Sequence, residues 1–196
     1  MGCGKQASVV YLIDFGLSKE FRDPNTHEHI PFSDSLGFAG TAMFASIHSH
    51  HGQELGRQDD LESLAYVLIY FLCGSLLWQG LSCLDGSGNH IVAEKKEEMS
   101  SHELCHGLPV EFSSFLDYSH LLSFDAKPNY QYFFNLFDNL LLQQSLDGPH
   151  PNLVFDWDDV EGGQYKIPSS CQGPFKHHVG YVLILLRFFL DTNGCL

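Results

Sequence analysis

The sequence predicts a mainly α-helical fold with one strand, or a strand pair at most, near its amino-terminal end. Three observations lead there. Apolar residues recur at helical spacing from Asp59 to Leu142, a short β-branched and aromatic run lies at Val9 to Ile13, and a long stretch without periodicity separates the two. The 196 residues are 44% hydrophobic and 13% aromatic, with 16 Phe, which is enough apolar material for a packed core. Disorder along the whole chain is excluded, because disordered segments are poor in such residues.

Charge narrows the partners. Ten Lys and Arg face 24 Asp and Glu, a net charge of −14. Phosphate backbones and anionic lipid repel such a chain, so general nucleic-acid or membrane-surface binding is not expected. Met1-Gly2-Cys3-Gly4-Lys5-Gln6 has no apolar signal-peptide core, and Gln6 stands where a myristoylation motif needs Ser or Thr. The longest apolar run, Val179 to Leu190, has 12 residues and includes Arg187, short of the roughly 20 that a spanning helix needs. Cys3, Cys73, Cys83, Cys105, Cys171 and Cys195 lack paired spacing, so reduced thiols in a cytoplasmic or nuclear protein are expected.

Taken in order, Val9 to Ile13 reads as a strand feeding a turn at Asp14-Phe15-Gly16. Residues 20 to 58, rich in Gly, Pro, Ser, His and Asp, form a loop so long that it is expected to be functional or disordered. Asp59 to Cys73 reads as a central helix, with Asp59 and Asp60 at its positive end, apolar residues on nearly every face, and Gly74 just past its end. Residues 82 to 90 read as loop and Glu94 to Cys105 as a polar helix stopped by Pro109. Pro109 to Leu122 and Asn129 to Leu142 read as amphipathic helices. From Asp147 to Gly173 the chain is acidic and rich in Pro, Gly and Ser, as a tail would be. Two divisions follow: a domain over 1–145, and an acidic tail with a carboxyl-terminal extension over 146–196.

The chemistry-bearing feature is a carboxylate at a strand end, Asp14 in Asp14-Phe15-Gly16, followed by a long loop and a buried helix led by aspartates. Protein kinases need that order: the Asp holds the metal that bridges the nucleotide phosphates, the loop binds peptide, and the helix anchors both. In detail the chain resembles the casein kinase 1 group of Ser/Thr protein kinases. The resemblance rests on Ile13-Asp14-Phe15-Gly16-Leu17, Phe21-Arg22-Asp23-Pro24, His29-Ile30-Pro31, Gly40-Thr41-Ala42 and Ser46-Ile47-His48. It continues through Asp59-Asp60-Leu61-Glu62-Ser63-Leu64, Trp78-Gln79-Gly80-Leu81, Glu94-Lys95-Lys96, Gly107-Leu108-Pro109 and Lys127-Pro128-Asn129-Tyr130, covering residues 1–142.

The resemblance implies a protein-kinase-like C-lobe with a short strand or hairpin before Asp14, the N-lobe being absent. It implies ATP and Mg as cofactors, and Ser/Thr of protein substrates as acceptors. Asp14 would bind the metal and nucleotide, Thr41 would touch the catalytic aspartate, and Asp60 would brace the catalytic loop's backbone. No complete catalytic set is expected. Only 13 residues precede Asp14, and the Gly-rich loop, the phosphate Lys and the His-Arg-Asp loop are missing. Met1-Gly2-Cys3-Gly4-Lys5 resembles the turn that follows the catalytic Asn in the family, so the chain is expected to start just past that Asn. Met43 and Ser82 to Gly86 stand where relatives carry basic residues that grip pre-phosphorylated substrates. The expected outcome is a chain inactive alone, with a pseudokinase-like binding or regulatory fragment as the alternative.

His102-Glu103-Leu104-Cys105-His106 also spells the His-Glu-x-x-His pattern of zinc hydrolases. It is set aside, because Pro109 ends the helix and Phe112 stands where a third His would be needed. His48, His50 and His51 read as solvated loop histidines.

Overall fold

A computed structural model describes residues 15–81 and 88–146. The described part is mainly helical and contains no strand, only an isolated antiparallel bridge between Arg22 and His29. The expected strand at Val9 to Ile13 and the tail from 147 onward lie outside the described residues, as does Asp14. After a 3-10 turn at Phe15–Leu17 come six helices: α1 (Ile47–His50), α2 (Arg57–Cys73), α3 (Gly88–Glu98), α4 (Ser101–Leu104), α5 (Val110–Leu121) and α6 (Tyr130–Leu146). No helix among the described residues is long and apolar enough to cross a membrane.

The chain divides into two compact units, Leu17–Asn129 and a second containing Met1–Gly16 with Tyr130–Leu196. In the first, α2 is the central element and packs against α5 and α1. Leu61, Ala65, Tyr66, Leu68, Ile69 and Leu72 are all buried along one half of the helix, while Asp60 and Phe71 on the other side are exposed. The burial on nearly every face that the apolar sequence predicts is therefore met only in part. It starts two residues earlier than the sequence suggests. The Gly56 N–H donates to Asp59 Oδ2 at 2.7 Å, so a carboxylate from the first turn caps the helix end. At its other end Gly74 takes the left-handed conformation, φ 74°, and donates to the Tyr70 carbonyl. On α5, Phe112, Phe115, Leu116 and Ser119 are buried at i, i+3, i+4 and i+7, the stripe that faces α2.

The polar helix expected over Glu94 to Cys105 is two helices, and the first begins at Gly88 rather than in a loop. The cause of the break is local. Ser100 Oγ accepts from the Glu103 N–H, while the Glu103 carboxylate accepts from the Ser100 N–H and hydroxyl. This reciprocal capping box starts a new helix at Ser101 and forces the old one to end.

The long stretch before α2 is neither featureless nor solvated throughout. Asp23 Oδ1 accepts from the Asn25 and Thr26 N–H groups, closing a turn, and Ile30 N–H donates to the Phe21 carbonyl. Phe124 packs edge-on against His29 and Phe32, and the Arg57 guanidinium lies 4.2 Å from the Phe21 ring centre. Leu36 N–H donates to the Gly52 carbonyl, and Gly52 sits at φ 66°. A Cβ at position 52 would lie 2.1 Å from the Leu36 carbonyl oxygen, so only glycine permits this approach.

In the second unit the described residues are Phe15, Gly16 and those of α6. Phe133, Phe137 and Leu140 are buried along one face, while Tyr132 and Leu142 are exposed.

Candidate functional site

The polar residues of the first unit collect where α1 meets the start of α2. Ser46 caps α1 by accepting from the Ser49 N–H, which aims the short helix so that His48 faces α2. His48 Nδ1 lies 2.9 Å from Asp59 Oδ1, and Asp59 is 3% exposed. That hydrogen bond holds the imidazole above its ordinary pKa, against the opposing effect of burial. One turn further along α2, Glu62 is 2% exposed, and its Oε1 accepts from the Ile47 N–H at 3.0 Å and the Tyr66 hydroxyl at 2.7 Å. His120 of α5 brings Nε2 to 3.6 Å from the same oxygen. Burial, and then the Glu62 charge, push the Tyr66 phenol well above its usual value.

Lys96 of α3 ties this cluster to the preceding loop. Its ammonium donates to the Ala42 and Ala45 carbonyls and lies over the Tyr66 and Trp78 rings, at 4.7 and 5.0 Å from their centres. Burial pushes it down to about 7, with Glu62 acting in the other direction. His50 beside it is pushed down to about 4, by burial first and by the Lys96 charge second. Trp78 completes the wall, donating from Nε1 to the Met43 carbonyl at 2.8 Å and stacking edge-on against Tyr66. A cleft of about 300 Å³ opens between α1 and α3, lined by His50, His51, His90, Glu94 and Glu97 among others. Within it His51 pairs with Glu97 and His90 with Glu94.

The loop histidines are therefore not simply solvated. Each of His48, His50 and His51 belongs to α1 or its end and has a named partner.

Of the site residues expected from sequence, Asp14 lies outside the described residues. Thr41 is exposed in the turn ahead of α1, where its carbonyl accepts from the Phe44 and Ala45 N–H groups. Its hydroxyl makes no hydrogen bond to the described residues, so it is open to a ligand or partner. Asp60 stands in the first turn of α2 with its side chain reaching solvent, and it too has no hydrogen-bond or ion-pair partner among the described residues. The protein crowded around it removes much of its water, and the Asp59 carboxylate is adjacent. Those two effects, in that order, raise its carboxyl to about 6. No hydrogen bond joins Thr41 to Asp60.

The His-Glu-x-x-His segment does not assemble. α4 ends at Leu104, so His106 lies beyond the helix that would place it above His102, and Glu103 is occupied by Ser100. The two bonds from Ser100 hold that carboxylate below its usual range. Among the described residues the one group of three metal-capable side chains is His48, Asp59 and Glu62. In the sequence Asp59 stands out only as a helix-end charge, and nothing local marks Glu62 as part of a site. The one signal available was a pair of carboxylates at i and i+3 in the first two turns of a largely apolar helix. Cys73 and Cys105 are free thiols, and burial pushes Cys105 up to about 12, which makes it a poor nucleophile.

No protein-family model matches the chain.

Proposed function

We propose that this chain is a casein kinase 1-like C-lobe that works as a docking half for Ser/Thr phosphorylation rather than as a kinase alone. The single observation that carries the reading is Asp60. It is an accessible carboxylate without a partner among the described residues, held at the first turn of the central, most buried helix. A carboxylate in that setting is suited to receive backbone N–H groups of a separate segment, as the resemblance implies for the catalytic loop. Thr41, exposed and with a free hydroxyl, supports the same reading from the loop side.

Within these 196 residues there is no His-Arg-Asp loop, no phosphate-binding Lys on a strand and no Gly-rich phosphate loop. One metal-binding Asp cannot replace the positioning and charge stabilisation those parts supply. Phosphate transfer from ATP and Mg to protein Ser or Thr therefore requires them from elsewhere. A non-catalytic binding role is the second reading, because the loop and helices are kept without the catalytic set.

The test uses the purified chain with Mg-ATP and casein, alone and mixed with the amino-terminal half of a casein kinase 1 enzyme through its catalytic loop. The expected result is no transfer alone, binding of the two halves, and weaker binding for Asp60→Ala. Failure of the wild-type chain to bind that half, or unchanged binding by Asp60→Ala, would overturn the kinase reading. Binding without phosphate transfer would select the non-catalytic role.

A further inference from the structure

We propose that His48, Asp59 and Glu62 form a binding site for a divalent transition-metal ion, with zinc the best match. The site is independent of Asp14 and of the kinase reading. One donor atom from each of the three side chains lies within 4.8 Å of the others. One imidazole and two carboxylates make a mixed nitrogen and oxygen set of the kind zinc takes, and two carboxylates balance a dication in charge.

The surroundings are those of a held site rather than a chance surface cluster. Asp59 and Glu62 are 3% and 2% exposed, and burial of such groups is tolerated where they are paired or bind metal. Their orientation is fixed from behind. Asp59 Oδ2 accepts from the Gly56 N–H, and Glu62 Oε1 accepts from the Ile47 N–H and the Tyr66 hydroxyl. Such outer contacts aim ligand oxygens at a metal. Glu62 Oε2 has no hydrogen bond to the described residues, which leaves one oxygen of a buried carboxylate open to a ligand. The His48 side chain is 38% exposed, giving an ion a way in from solvent. His120 Nε2 lies 3.6 Å from Glu62 Oε1 but outside the group of three.

The donor atoms, spread within 4.8 Å of one another, must regroup around an ion. Donors in a tetrahedral shell with bonds of about 2.1 Å stand about 3.4 Å apart. The 2.9 Å contact between His48 and Asp59 must therefore open by a few tenths of an ångström, with the shared proton leaving to solvent as the metal takes its place. α1, four residues long, would carry this shift while keeping the Ile47 N–H on Glu62 Oε1.

The experiment is titration of the tag-free, metal-stripped full chain with Zn²⁺ by calorimetry, and with Co²⁺ followed by its visible absorption. One equivalent should bind ahead of any weaker sites, with the intense visible bands of a tetrahedral centre, and raise the melting temperature. His48→Asn preserves a hydrogen bond to Asp59, so it should fold like the parent by circular dichroism yet bind that equivalent at least about tenfold more weakly. Paired His102→Ala and His106→Ala substitutions should leave the affinity unchanged. Equal zinc affinity in the folded His48→Asn protein, loss of the equivalent in the paired variant, or no stoichiometric binding by the parent would each overturn the proposal.

Discussion

Two histidine-and-carboxylate regions of the same unit have opposite fates. His102, Glu103 and His106 carry a metal-hydrolase spacing in the sequence, but α4 is four residues long and its glutamate is used to cap it. His48, Asp59 and Glu62 carry only an i, i+3 carboxylate pair and no metal-binding motif, and two helices bring their donor atoms within 4.8 Å. Spacing in sequence becomes spacing in space only where a helix is long enough to display it. The first region has the letters without the helix, and the second has the helix, α2, supplying two of its three residues.

The comparison can be broken most forcefully at Glu62. In metal-free protein, Glu62→Ala strands the Ile47 N–H and the Tyr66 hydroxyl inside the unit, and we expect a loss of about 3–5 kcal/mol in urea unfolding. A loss under 1 kcal/mol would mean that the cluster contributes little to the fold.

Lys96→Met comes next. It leaves the Ala42 and Ala45 carbonyls without their donor, a cost of about 2 kcal/mol. Its pH dependence has a definite sign. The folded-state pKa is depressed to about 7 from 10.5, so between those values the unfolded chain binds more protons. Lys96's titration-linked contribution is thus fully present above pH 10.5 and is lost as pH falls through about 7. His50, Glu62 and Tyr66 are the titratable groups around it. The gap in urea midpoint between parent and Lys96→Met should widen from pH 7 to pH 9.5, and a constant gap would contradict the assignment.

Smaller effects sharpen the other side. Ser100→Ala removes the side-chain cap of α4 and should cost about 1 kcal/mol by thermal unfolding. His102→Ala with His106→Ala, both exposed, should change stability by less than about 0.5 kcal/mol. A larger loss would restore a structural role to that motif.

What was legible in the sequence follows the range of the forces involved. α2, α5 and the Gly74 stop were legible because apolar periodicity and a left-handed glycine are local properties of the chain. The break at Met99 is not legible in the run of charged residues before it, although the Ser100 and Glu103 pair that causes it is also local. The ordering of the loop was not legible, because it depends on Phe124 and Arg57, which are distant in sequence from the residues they hold. In the candidate site, Asp60 and Thr41 came from the resemblance. His48 and Glu62 came only from the fold, since the hydrogen bonds that aim them connect different elements.

The indole of Trp78 gives this architecture an optical handle. It is almost fully buried, bonded to the Met43 carbonyl and edge-on to Tyr66. Its emission therefore reports whether the segment ahead of α1 has seated on α2, separately from whether α2 is helical. The chain has two tryptophans, so a Trp157→Phe background isolates the signal. Stopped-flow fluorescence set beside far-ultraviolet dichroism would then time loop seating against helix formation in one refolding reaction.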